Sequence, residues 1–148
     1  HGRIAGNVFA EIGRQLEGRP PCGAVVEGGI RVNEDTYHVA DVAATCAPIS
    51  EEGFVREPFL VVEIVSDSDR GARALAKVQD YIALASIQEI WLIDSRERRV
   101  QQWRRGGEDR WIVTLPLTGR AMFDSPTLGG TIELDRLYRN TGLEVPSG

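Results

Sequence analysis

The chain has 148 residues, 42% of them hydrophobic and 26% charged, which suits one globular domain with its own core and excludes a disordered, collagen-like or membrane-spanning composition. Its longest apolar stretches, such as Phe59 to Val62 and Ile90 to Ile93, fall far short of the roughly 20 residues that cross a bilayer. A net charge of −5, from 17 basic and 22 acidic residues, argues against non-specific coating of nucleic acid but leaves room for a local basic groove.

From Arg3 to Glu17, Ile4, Val8, Ile12 and Leu16 recur every four positions, with Ala5 and Phe9 widening the stripe, which predicts an amphipathic helix stopped by Gly18 and Pro20-Pro21. Ala24 to Glu27 and Ile30 to Val32 read as two short strands of a hairpin turning at Gly28-Gly29. Tyr37 to Thr45 is the next strand, with Tyr37, Val39 and Asp41 on one face and His38, Ala40 and Val42 on the other. Pro48 to Pro58 is a polar connecting loop.

Phe59 to Ser66 is an apolar run between Pro58 and the turn Asp67-Ser68-Asp69, so it reads as a strand buried on both faces. Ser68 or Asp69 can cap a helix from about Arg70 to Ala85, with Leu75, Val78, Ile82 and Ala85 as its buried stripe. Glu89 to Asp94 is again a strand. The resulting βαβ unit makes these two strands parallel neighbours. Val100 to Trp103 and Arg110 to Val113 form a hairpin around Gly106-Gly107, and Thr131 to Leu134 leads into a short segment at Leu137-Tyr138. The sum is one domain over residues 1–148: an α/β fold, a mixed sheet flanked by helices with an antiparallel C-terminal part.

Several features invite bland readings. Arg96, Arg98, Arg99, Arg104, Arg105 and Arg110 crowd one segment, as a solvated hairpin does. Cys22 and Cys46 lack metal-ligand spacing and are expected to be reduced, partly buried thiols. No signal peptide is visible, so a cytoplasmic location is the default expectation, and because His1 stands where Met would, the native start is expected upstream.

Glu63 does not fit its apolar strand. An ionised carboxylate buried there must be protonated, paired with a cation or bound to a metal. Asp41 lies on a strand that a loop and a return can bring beside it. Two carboxylates on neighbouring strands repel unless they share a proton or a divalent ion, and such oxygen-rich sites suit Mg²⁺ or Mn²⁺ rather than zinc. Lys77 shares a helix face with Arg73 and Tyr81 at four-residue spacing and can point toward the sheet.

His1-Gly2-Arg3-Ile4, Val39-Ala40-Asp41-Val42, Leu60-Val61-Val62-Glu63-Ile64-Val65-Ser66, Lys77 with Tyr81, and Glu89-Ile90-Trp91-Leu92-Ile93-Asp94 follow one another in that order over nearly the whole chain. On these residues the chain resembles the Uma family, described as restriction endonucleases of the PD-(D/E)xK superfamily. The resemblance implies a restriction-endonuclease-like core, with Asp41 and Glu63 as metal ligands, joined by the backbone carbonyl of Ile64, and Lys77 as the basic member. It implies hydrolysis of phosphodiester bonds in nucleic acid, DNA above RNA, with Mg²⁺ or Mn²⁺ as cofactor. In the superfamily's common form the lysine sits two residues after the second carboxylate, which is Val65 here, so the basic group has moved to the following helix. Ala40 stands in place of the usual proline, and Asp67-Ser68-Asp69 in place of Pro-Ser-Thr, which adds negative charge.

Glu27, Tyr81 and Ser66 are accessory candidates, Glu27 favouring a plain surface acid, and His1, at a chain end, is expected to be disordered. A homodimer is expected because duplex cleavage needs two sites, with Trp103, Trp111 and Phe123 covering a sheet edge. The alternatives are a catalytically inactive binding or oligomerisation module that kept the fold, and a structural Glu63–Lys77 ion pair with no ligand.

Overall fold

Ile4, Val8 and Ile12 return to one side of helix α1 (Gly2–Gln15) and are buried there, with Leu16 extending the stripe. The computed structural model describes residues 1–66, 68–107, 109–143 and 145. The side chains of 68–70 fall outside that description, as do the expected cap at Ser68 or Asp69 and the Asp67-Ser68-Asp69 turn.

The next elements in chain order are β1 (Gly23–Arg31), β2 (Tyr37–Thr45), β3 (Leu60–Val65), α2 (Ser68–Ile82), β4 (Glu89–Asp94), β5 (Arg99–Gly107), β6 (Arg110–Val113) and β7 (Leu117–Thr118). Their sheet runs β1-β2-β3-β4-β5-β6, with β7 also on β5. β3 and β4 are parallel, joined by α2 as the βαβ reading expects, and the other pairs are antiparallel. A separate hairpin, β8 (Met122–Ser125) with β9 (Gly130–Glu133), leads into the short helix α3 (Leu134–Leu137). One face of the sheet packs Val42, Leu60, Val62 and Trp91 against α1, the hairpin and α3. The other packs Ala43, Val61 and Ile90 against Val78 and Tyr81 of α2. No helix among the described residues is long and apolar enough to cross a membrane.

Five expectations need correction. Gly28-Gly29 is not a turn: β1 runs straight through it. A Cβ at Gly28 would stand 2.6 Å from the Val55 side chain and one at Gly29 3.1 Å from the Phe54 ring, so these glycines admit the returning loop. The buried stripe of α2 is Ala74, Val78 and Tyr81, whereas Leu75 and Ala85 are exposed, because the helix turns its aromatic residue rather than its leucine to the sheet. Phe123 is buried edge-on against Trp91 instead of covering an edge. Cys22 and Cys46 form a disulfide, because the β1–β2 register that pairs Gly23 with Thr45 brings the residues just beyond them together.

The last correction concerns faces. On β2, Ala40 and Ala43 both join the α2-side cluster, while Val42 and Ala44 join the α1 side. On β1, Val25 and Ile30 likewise share the α2-side cluster. Strict alternation forbids both patterns. The two strands therefore change faces at the same level, where Glu27 takes a left-handed backbone with φ 49° and Asp41 lies opposite it in the register.

Candidate active site

That inversion places Asp41 between the layers. The β2–β3 ladder pairs Ala44 with Leu60 and Val42 with Val62, and continued by one step it sets Asp41 opposite Glu63. There a side chain takes over from the ladder: Asp41 Oδ2 accepts the N–H of Ile64 at 2.7 Å. Its other oxygen lies 3.2 Å from Nε2 of His1, carried by the start of α1. His1, discounted because of its terminal place, is thus a neighbour of the site.

Glu63 is buried on β3, and its partners come from α2. Tyr81 donates its hydroxyl to Oε1 at 2.8 Å, and Lys77 Nζ reaches the two oxygens at 3.3 and 3.5 Å. Lys77 also donates to the carbonyl of Val39 at 2.9 Å, which bridges α2 to β2 and β3 at once. These contacts do not offset the loss of water. Burial pushes the Glu63 carboxyl up to about 7; Lys77 and Tyr81 pull it down, and the nearby Asp41 charge adds to the rise. Burial, then the Glu63 charge and hydrogen bond, also push the Tyr81 phenol up, so it remains a donor.

A cavity of about 310 Å³ opens beside this group, lined by Glu63, Ile64, Val65, Arg73, Ala74 and Lys77. Behind Tyr81, His38 stacks edge-on at 5.7 Å between ring centres, and its Nε2 lies 2.6 Å from Asp80. No sequence pattern marked His38 and Asp80, which lie far apart in the chain. Of the accessory candidates, Tyr81 bonds Glu63 directly, Ser66 is half-buried just beyond β3, and Glu27 is exposed. Among the described residues no group of three or more His, Cys, Asp or Glu is placed to hold a metal ion; a metal held here would take Asp41, Glu63 and main-chain or water oxygens.

Residues 1–136 match the Uma2 family, whose description is "putative restriction endonuclease". The chain belongs to this family. Asp41, Glu63, Lys77 and Tyr81 all fall inside the Uma2 match, whereas the last residues of the chain lie outside it. A solved structure described as a putative nuclease belonging to DUF820, from Anabaena variabilis ATCC 29413, superposes with a TM-score of 0.69 and 20% identity, covering 93% of this chain and 79% of that one. At that identity the likeness speaks for the fold alone. No curated protein matches the Uma2 chain.

Proposed function

We propose that this Uma2 protein is a divalent-metal-dependent endonuclease that hydrolyses phosphodiester bonds of nucleic acid, with DNA as the expected substrate and Asp41, Glu63 and Lys77 as its catalytic set. The observation that carries the reading is Glu63, a carboxylate buried opposite Asp41 with its pKa raised to about 7, beside a lysine and an open cavity. Family membership and a nuclease-like fold support the same class of reaction.

The residues fit Mg²⁺ or Mn²⁺. The donors are hard oxygens, and Mg²⁺ commonly keeps several waters while resting on one or two carboxylates. Asp41, Glu63 and the carbonyl of Ile64 would hold the ion, which when bound supplies a water of lowered pKa and positive charge against the phosphate. The chain's own contribution is positional. The Ile64 N–H holds Asp41 in place, and Tyr81 does the same for Glu63. Lys77 orients the attacking water or offsets charge growing on the phosphate, since a lysine of ordinary pKa, ~10.4, is a poor base near neutrality. α1 and α2 serve the same carboxylate pair from opposite sides of the sheet, as parts of one domain.

Cleavage of supercoiled and single-stranded DNA with Mg²⁺ or Mn²⁺, run beside Glu63→Ala, tests this. Activity is expected for the native protein and a loss of at least about a thousandfold for the variant, on the scale of removing a group on which the reaction depends. Activity that survives the substitution overturns the assignment.

The inactive-module reading draws on one observation: both oxygens of Glu63 already have protein partners. If calorimetry finds no binding of Mg²⁺ or Mn²⁺ that depends on Asp41 and Glu63, that reading takes precedence.

A further inference from the structure

A second cavity, of about 340 Å³, lies between the start of α2 and strands β3, β4 and β5. Val65 lines both cavities, so the second adjoins the first. The registers set Glu63 beside Leu92 and Leu92 beside Gln101, one row across the sheet with side chains on the α2 face. With neighbouring strands ~4.8 Å apart, Gln101 stands about 10 Å from Glu63, the scale of one nucleotide.

The walls are apolar: Val65, Leu75 and Leu92, with Pro116. Leu75 is 49% exposed, an apolar wall facing an open space. Three polar groups meet at this slot. Trp103 donates its indole N–H to Oε1 of Gln101 at 3.1 Å, which fixes the amide and leaves its NH₂ with no partner among the described residues. Asp94 uses Oδ1 for the N–H groups of Arg96 and Glu97, which leaves Oδ2 without a partner among the described residues. Among the described residues, the half-exposed Arg99 guanidinium has only a loose contact with Glu97, at 3.9 Å.

Apolar walls with a few converging donors and an acceptor are the makings of a small-molecule site, and the volume falls in the range of roughly 300–1,000 Å³ usual for one. A free phosphate is a poor occupant, because Asp94 repels it and the walls offer it nothing. A nucleobase matches: its flat faces suit Val65, Leu75 and Leu92, and its edge carries both acceptors for Gln101 and Arg99 and donors for Asp94.

Resting on the nuclease reading above, we infer that this slot takes one base of the strand whose phosphate is cleaved at Glu63, turned out of its stack and held by Gln101, Arg99 and Asp94. A base can enter only if it is unpaired, and unstacking it from a duplex costs a few kcal/mol. Single-stranded or locally melted nucleic acid is then the preferred substrate over intact duplex.

The test uses the full chain in EDTA, with a single-stranded oligodeoxynucleotide of mixed sequence as probe and the same strand built of abasic sites as control. The Trp103 indole N–H resonance, assigned with Trp103→Phe, is the reporter. It is expected to shift with the base-bearing strand, and the abasic strand is expected to bind about tenfold or more weakly and leave it in place, given base stacking of ~1–3 kcal/mol. Equal shifts with both strands, or none with either, overturn the slot.

Two variants report on turnover. Gly71→Leu fills the slot from α2, where an added Cβ meets nothing within 4 Å, and leucine favours the helix over glycine. Gln101→Ala removes the amide donors. Each is expected to lower kcat/KM on single-stranded DNA about tenfold or more while leaving cleavage of the strand built of abasic sites, which puts no ring in the slot, at the native rate. If both strands are cleaved at native rates by these variants, the slot is wrong and the nuclease stands. If the native protein cleaves neither, the nuclease reading fails, and the Trp103 resonance alone decides the slot.

Discussion

Glu63 and Glu89 sit on adjacent parallel strands, both out of water, facing opposite sides of the sheet. Glu89 accepts hydrogen bonds from the Trp91 indole at 2.6 Å, the Gln102 amide at 2.9 Å, the hydroxyls of Ser125 and Thr127 at 2.7 and 2.6 Å, and the N–H of Thr127 at 3.3 Å. A carboxylate offers about four lone-pair positions, so Glu89 is filled. It ties the β8–β9 region to the sheet and has no capacity for a ligand. Glu63 has one phenol, a lysine at longer range, a like charge opposite and a cavity beside it. Burial is common to both glutamates. What separates the two is how completely their oxygens are served by neutral donors.

The largest effect expected from this contrast is on stability. Glu89→Ala leaves three buried side-chain donors and the half-buried Thr127 hydroxyl without this acceptor and should lower the unfolding free energy by about 4 kcal/mol. Urea denaturation measures it; a loss under about 1 kcal/mol would break the comparison.

Glu63 should behave in the opposite way in metal-free protein. Its folded pKa of about 7 lies above the usual carboxylate value, so the folded state holds the proton more tightly than the unfolded state. Stability should therefore fall as pH rises from about 4.5 to about 7, by a total of about 3 kcal/mol, and stay low above that. Glu63→Gln should flatten this profile and be the more stable protein at pH 8. Added Mg²⁺ should raise the native Tm there and leave the variant's unmoved; a flat native profile would show that Glu63 is better compensated than its neighbours suggest.

Tyr81→Phe removes the 2.8 Å hydrogen bond to Glu63 and should weaken metal binding or activity by about 10–100-fold with the fold intact, as loss of a ligand's supporting partner does. The smallest effect is expected from His38→Ala. Its Asp80 partner is 43% exposed, so unfolding should shift by under about 1 kcal/mol and activity only severalfold through Tyr81.

Much of the scaffold was legible in the residues. β2, β3 and β4 announce themselves by apolar and alternating runs between turn signals, and the βαβ unit follows from their spacing with α2. Asp41, Glu63 and Lys77 were also within reach, because an antiparallel return and a helix crossing back over the sheet bring them together in any such fold. The rest depended on distant partners. Whether Gly28-Gly29 marks a turn or a close approach is decided by Val55 and Phe54 on a later loop. Leu75 and Tyr81 compete for the sheet side of α2, and the choice is made by Glu63, which accepts the phenol's proton in hydrogen bonding. The Cys22–Cys46 bond follows from strand register, and Glu89 reads as an unremarkable strand start until residues 102, 125 and 127 arrive.

The shared change of faces in β1 and β2 has a bearing on when the protein becomes competent. Before that level, Ile30 and Ala40 belong to the packing under α2; beyond it, Val42 and Ala44 belong to the packing under α1. Asp41 lies on the seam and takes its contacts from the α1 side, His1 on one oxygen and the N–H of Ile64 on the other, whereas Glu63 takes Tyr81 and Lys77 from α2. Neither half alone can set both carboxylates. A chain with only one core consolidated thus has no matched pair of carboxylates, and on refolding, activity should return with the slower half, behind any signal that follows secondary structure alone.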